Sequence, residues 1–178
     1  MKIIIFAILT FSSIINCYCQ TSTAYYKSGN AKYKSKDYTG AIVDYTKAIS
    51  IDSRNDSAYS NRGLSKSYLG DNRGAILDFD KAIEINPKNA GISLIRGNPQ
   101  ANIYYMRGDC KGQIGNKQGA LTDFDKAVDI NPNDADIYYL RGIVKISMGQ
   151  KDNGCIDLSK AGEMGNKQAY ADIREYCK

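Results

Sequence analysis

The chain has no histidine among its 178 residues. That removes the side chain most often used as a general base near neutral pH and as a metal ligand. Ser/His and Cys/His nucleophilic sets are therefore excluded. No glycine loop has nucleotide-binding spacing. Charge of one sign is scarce as well. The net charge is only +5, and the lysines are scattered among acidic residues, so no basic block points to nucleic acid. The acidic stretch from Asn131 to Asp136 lacks the glycine and terminal glutamate of a calcium loop. Paired carboxylates such as Asp78 with Asp80 and Asp123 with Asp125 recur with the repeated unit set out below, which suits surface or pairing roles. The expectation is a chain that is not an enzyme, with no catalytic, metal or cofactor-binding residues and no small-molecule cofactor. Apolar content is ordinary for a packed domain of this length.

The first residues differ from the rest. Lys2 precedes an apolar run from Ile3 to Phe11, then Asn16-Cys17-Tyr18-Cys19-Gln20. A charged start, a short apolar stretch and alternating small residues read as a secretory signal peptide over residues 1–19, cleaved between Cys19 and Gln20. The run is too short to span a bilayer comfortably. Asn16 also stands where a lipoprotein modified at Cys17 needs a small residue, so an anchored form and a lipoprotein are the lesser alternatives. The expected mature chain, 20–178, is periplasmic or secreted, has no stable membrane span and keeps Cys110, Cys155 and Cys177. Export makes a disulfide possible.

What the sequence does have is a phrase used twice. Ile103 to Gly108 reads IYYMRG, and Ile137 to Gly142 reads IYYLRG. The likeness extends to four units of 34 residues, at 22–55, 56–89, 101–134 and 135–168. In each unit apolar and small residues recur at helical spacing in two bursts around a polar break. The eighth position is Gly29, Gly63, Gly108 or Gly142, and the twentieth is Ala41, Ala75, Ala120 or Gly154. Glycine inside a helix costs about 1 kcal/mol relative to alanine, so its recurrence points to close helix contact. Tyr25, Tyr59, Tyr104 and Tyr138 at the fourth position, and Tyr45, Phe79, Phe124 and Leu158 at the twenty-fourth, are expected to fill the space between the helices. Ala48, Ala82, Ala127 and Ala161 hold the twenty-seventh. Pro87 and Pro132 end the second helix.

This Gly, Ala, aromatic, Ala, Pro pattern resembles the tetratricopeptide repeat from Ser22 to about Lys167. The resemblance implies an all-α, right-handed helical solenoid of about four helix–turn–helix repeats, here with a C-terminal capping helix at 166–178. It also implies a non-enzymatic module that binds a protein or peptide in a concave groove lined by the first helices. The family's groove positions fall on Tyr26, Asn30, Tyr33 and Lys34 in the first unit, and on Ser60, Leu64, Ser67 and Tyr68 in the second. The third supplies Asn102, Tyr105 and Asp109, and the fourth Tyr139, Ile143 and Ile146. Tyrosine offers a large contact area with few rotatable bonds. The alternatives are that these tyrosines only pack between units, and that the chain is a structural or assembly subunit of an envelope complex, using its ends or convex face. A family subclass clamps the C-terminal carboxylate of heat-shock chaperones. Asn30 and Asn61 match that motif, but Tyr26, Asn102 and Met106 do not, so the cationic half is missing.

Residues 90–100, AGISLIRGNPQ, depart from the period. Asn98-Pro99 breaks a helix, which predicts a short turn or loop and a fresh helix near Gln100. The segment reads as a tolerated duplication or as a partner-contacting bulge. Arg62, Arg107 and Arg141 at the seventh position, with Asp44, Asp78 and Asp123 at the twenty-third, suggest pairing of each aspartate with the next unit's arginine: Asp44 with Arg62, Asp78 with Arg107, Asp123 with Arg141. Arg96 competes for Asp78, and solvated charge is the alternative. Near the C-terminus, Gly162 and Gly165 are expected to interrupt the second helix of the fourth unit. A hairpin turning at Gly165-Asn166 brings Cys155 and Cys177 face to face at its open end, where a disulfide can pin the terminus. A metal site or a redox switch are the alternatives. Cys110 reads as a small buried residue.

Overall fold

The structure is a computed structural model and describes residues 21–178, except Arg96. The leader expected at 1–19 lies outside the described residues. So does the competition of Arg96 for Asp78. Nine helices and no strand occur among the described residues. They are α1 over 21–34, α2 (Tyr38–Ile51), α3 (Asp56–Tyr68), α4 (Asn72–Ile85), α5 (Pro99–Gln113), α6 (Lys117–Ile130), α7 (Ala135–Ser147), α8 (Lys151–Glu163) and α9 (Lys167–Tyr176). Each repeat is one antiparallel pair, and each pair packs on the next to give the helical-repeat solenoid.

The helix boundaries follow from local chemistry. Asp37, Asn55, Asp71, Asn98, Asn116, Asp134 and Asn166 each stand at an N-cap and accept a hydrogen bond from a first-turn backbone N–H. Such a cap is worth about 1 kcal/mol. Pro99 occupies the first turn of α5, where no helical N–H is needed. The helices that precede Pro87 and Pro132 stop at Ile85 and Ile130. Gly162 does not interrupt the last unit: α8 runs through it to Glu163, and the chain reverses at Gly165, whose φ of +96° suits glycine.

The core runs along the seam within each pair. Tyr45, Phe79, Phe124 and Leu158 are at most 1% exposed. Phe79 and Phe124 lie flush against Gly63 and Gly108 across the seam, close enough that a Cβ would meet their rings. The fourth-position tyrosines do something else. Tyr59, Tyr104 and Tyr138 are only half-buried, and the guanidinium groups of Arg62, Arg107 and Arg141 sit over their rings at 5.4, 5.4 and 5.2 Å. The repeated phrase thus reads: Ile into the core, Tyr under Arg, Tyr on the first-helix face, Met or Leu against the core, Arg to an ion pair, Gly against the partner helix.

The fourth repeat closes more tightly than the others. A Cβ on Gly154 would lie 2.5 Å from Ile146 Cγ1 and 2.7 Å from the Gly142 carbonyl oxygen. The equivalent residues Ala41, Ala75 and Ala120 carry that carbon without conflict. Gly154→Ala will therefore cost about 1–2 kcal/mol, because overpacking against backbone exceeds the helix-propensity gain. Urea unfolding checks this. An unchanged midpoint would show that α7 and α8 can move apart freely.

The ion pairs of Asp44, Asp78 and Asp123 form within repeats, not between them as the sequence suggested. Asp78 binds Arg62 through Nε and Nη2 at 2.9 and 2.6 Å, and Lys66 at 2.8 Å. Asp123 binds Arg107 and Lys111, and Asp157 binds Arg141 and Lys145, in the same way. Asp44 takes Ser28 and Lys32 instead. The cause is hairpin geometry. Arginine and aspartate lie eight residues on either side of the turn glycines Gly70, Gly115 and Gly149, so they face each other across the seam. The link between repeats is real but comes from a neighbouring residue. Arg107 Nη1 reaches Asp80 at 2.6 Å and Arg141 Nη1 reaches Asp125 at 2.8 Å, while Arg62 Nη1 donates to Thr46 Oγ1 at 3.1 Å.

The insertion is an extended loop followed by a fresh helix, and it is built into the core. Ala90 and Ile92 are at most 2% exposed and share a cluster with Leu64, Phe79 and Ile103. The Ile92 N–H donates to the Pro99 carbonyl at 2.9 Å, and Asn102 Nδ2 donates to the Ile92 carbonyl at 3.1 Å. Repeats two and three stay stacked across it.

A divided groove as the candidate functional site

The first helices stack side by side, with α3 against α5 and α5 against α7. Their shared face is the surface on which the groove positions lie. The structure divides those positions into three groups.

The first group is engaged inside the protein. Asn30 Oδ1 accepts from Tyr45 Oη at 2.8 Å and from Asn61 Nδ2 at 3.0 Å. Asn61 Nδ2 also donates to Tyr26 Oη at 3.2 Å. Ser60 and Leu64 are fully buried. Leu64 belongs to the same apolar cluster as Ala90 and Ile92, and Leu94 and Ile95 pack against that cluster. The second group is an aromatic wall. Tyr38 stacks on Tyr68 with ring centroids 4.9 Å apart, and Tyr33 sets its edge toward Tyr68 and lies tilted against Tyr38. Tyr38 was missed in the sequence because it opens a second helix, a position the family's groove set does not include.

The third group lines open space. A pocket of about 570 Å³ lies between repeats two, three and four. Tyr68, Tyr105 and Asp109 form part of its wall, with Ser67 and Asn102 beside them. Ile95, Met106, Gln113, Asp134 and Asp136 complete it and were absent from the expected set. Ile95 comes from the insertion; its only sequence signal was the echo of Ile95-Arg96-Gly97 with Met106-Arg107-Gly108. A second pocket of about 270 Å³ adjoins the first and shares Asp109 and Gln113 with it. Phe124, Leu140, Ile143 and Val144 make it apolar.

Electrostatics set the character of the larger pocket. Burial pushes the Tyr105 phenol far up, helped by the charges of Asp136, Asp109 and Asp134, so it stays a neutral hydrogen-bonding group. Burial likewise raises the Asp109 carboxyl above the usual carboxylate range, against a hydrogen bond from Gln113 Nε2 at 2.9 Å. Tyr139 stands apart from this pocket. Burial, then Asp172 of α9, pushes its phenol up to about 12, so it ties the groove to the cap. Cys110 is fully buried, and burial, then the Asp109 charge, pushes its thiol up to about 12, which leaves it unreactive at neutral pH. Among the described residues no group of three or more acidic or cysteine side chains could hold a metal ion.

At the far end, Cys155 and Cys177 are joined as a disulfide across the α8–α9 hairpin, with Cα atoms 5.8 Å apart. The bond holds α9 against the last repeat, where Ala169 is buried and Tyr170 Oη donates to the Gly162 carbonyl at 2.8 Å. No helix among the described residues is long and apolar enough to cross a membrane.

Comparison with solved structures places this fold among known helical repeats. The chain is 27% identical to MamA protein, with a TM-score of 0.74 over 85% of this chain and 78% of that one. YrrB, described as a TPR protein with an unusual peptide-binding site, is 20% identical with a TM-score of 0.73, over 90% of this chain and 78% of that one. The first TPR of Spaghetti, solved with the HSP90 peptide SRMEEVD, is 20% identical with a TM-score of 0.65, over 74% of this chain and 95% of that one. No curated protein matches in sequence. A TPR repeat model matches residues 29–66 and 101–149, and a tetratricopeptide repeat model matches 56–89. Together these matches cover more than half of the chain, which belongs to the tetratricopeptide repeat family.

Proposed function

We propose that the chain is an exported protein-interaction module that receives an extended segment of a partner protein in the pocket between repeats two and four. The observation that carries this reading is the concavity itself: about 570 Å³ of open space on the first-helix face, walled by Tyr68 and Tyr105. Aromatic side chains with a polar tip give recognition sites most of their contact energy. One similar solved structure holds an HSP90 peptide and another is described as having a peptide-binding site, which is consistent with such a use of the fold. Export rests on the leader read at 1–19 and agrees with the Cys155–Cys177 disulfide, since such bonds persist in oxidising compartments.

The test is affinity capture from native envelope and secreted fractions, with the mature chain beside a Tyr105→Ala variant shown to be folded by circular dichroism. A groove partner will be captured by the mature chain and weakened about tenfold or more by the variant. A partner retained equally by both would place binding on the ends or the convex face and overturn the groove reading.

A further inference from the structure

The two adjoining pockets differ in kind. The larger takes three carboxylates, Asp109, Asp134 and Asp136, into a wall that contains no lysine or arginine among the described residues. This happens in a chain whose net charge is +5. Four of the five buried aspartates are neutralised: Asp44, Asp78, Asp123 and Asp157 each hold one or two cations, while Asp172 of the cap takes Gln168. Among the described residues the three pocket carboxylates have neutral side-chain hydrogen-bonding partners. Gln113 donates to Asp109, Asn131 to Asp134 and Asn166 to Asp136. The Tyr68 and Tyr105 rings stand beside them, and aromatic faces attract cations. The smaller pocket is apolar and opens beside Asp109.

We infer that the groove selects a segment in which a lysine or arginine side chain lies close to an aliphatic side chain. The cation enters the pocket of Tyr68, Tyr105, Asp109, Asp134 and Asp136, and the aliphatic group enters the pocket of Phe124, Leu140, Ile143 and Val144. This rests on the groove reading above and adds the chemistry of the occupant. Residues of repeats two, three and four all line the larger pocket, and the group that enters it is a side chain of a passing strand, not a terminus. The same charge pattern repels an acidic segment such as the Glu-Glu-Val-Asp end of the peptide on Spaghetti.

Phage selection of random short peptides on the mature chain, with counter-selection on Tyr105→Ala, tests both levels. The expected outcome is enrichment of peptides that pair a basic and an aliphatic residue. Enriched sequences are then resynthesised with acetylated N-termini. Replacing the basic residue by glutamine should weaken binding about tenfold, and Asp109→Asn with Asp136→Asn should do the same. Affinity for the unaltered peptide should fall as salt rises. Tyr105-dependent peptides without a basic residue would overturn this inference and leave the groove reading standing. No Tyr105-dependent enrichment would overturn both. Binding abolished by acetylation would assign the pocket to a terminal amine, and a Tyr105-dependent dimer in light scattering would assign it to a second copy; either result overturns the inference.

Discussion

Replacing Asp123 by asparagine will lower the free energy of unfolding by about 3 kcal/mol. Asp123 is 3% exposed and holds two cations at once, Arg107 through Nε and Nη2 and Lys111 at 2.8 Å. Both cations are themselves largely buried, at 14% and 18% exposed. Asparagine keeps the shape but removes the charge, and the two cations then face each other with only the half-exposed Asp80 beside Arg107. The first repeat provides the contrast. Asp44 meets a hydroxyl, Ser28, and a lysine that is 39% exposed. Burial opposes the ionisation of Asp44, but the Lys32 and Ser28 hydrogen bonds outweigh it and hold its carboxyl below the usual range. Its contribution is therefore complete at neutral pH and is lost only as pH falls through the acidic region. Asp44→Asn should cost about 1 kcal/mol, the worth of a partly screened pair. Urea unfolding of both variants measures the difference. Equal losses would mean that the guanidinium adds nothing to the buried pair.

Reducing the Cys155–Cys177 bond, or replacing both cysteines by serine, will destabilise the fold by about 3 kcal/mol in the chain-entropy account of a loop closed by residues 22 apart. The loss should be local before it is global. Helix α9 covers the last repeat with only ten residues, of which Ala169 and Asp172 are buried, so its amides should exchange much faster once the bond is open. Hydrogen exchange on oxidised and reduced protein checks this. Unchanged protection of α9 would show that packing alone holds the cap. The Cys110 thiol lies in another repeat and is buried, so it cannot substitute for either partner.

Much of this architecture could be read before the structure. The period, the helix ends set by Asn98-Pro99, Pro87 and Pro132, and the turn at Gly165-Asn166 all follow from backbone chemistry that acts over a few residues. The ion pairs were legible too, but were misread. The hairpin reasoning that set Cys155 opposite Cys177 also sets Arg62 opposite Asp78, each eight residues from Gly70. The recurrence of Lys32, Lys66, Lys111 and Lys145 marked a second cation on the same site. What the sequence could not supply was the destination of the insertion. Nothing local in AGISLIRGNPQ says that Ile92 is buried with Leu64 while Ile95 walls a pocket. That arrangement depends on space left between two repeats, which is a tertiary property. For the same reason Ser60 and Leu64 had the periodicity of groove residues but not the exposure.

The arginines divide their donors between a carboxylate of their own hairpin and one of the hairpin before, at Asp80 and Asp125. In a linear array, where each unit touches only its neighbours, such shared groups decide how far an opening spreads. Melting repeat three or four breaks an ion pair with a half-exposed carboxylate of the adjoining unit, Asp80 or Asp125, which adds about 0–1 kcal/mol to the boundary there. Between repeats one and two the arginine reaches only the Thr46 hydroxyl, but Asn61 bonds to Tyr26 and Asn30 and Tyr68 stacks on Tyr38, so uncharged contacts carry that boundary. Added salt should therefore loosen the boundaries on either side of repeat three more than the one between repeats one and two.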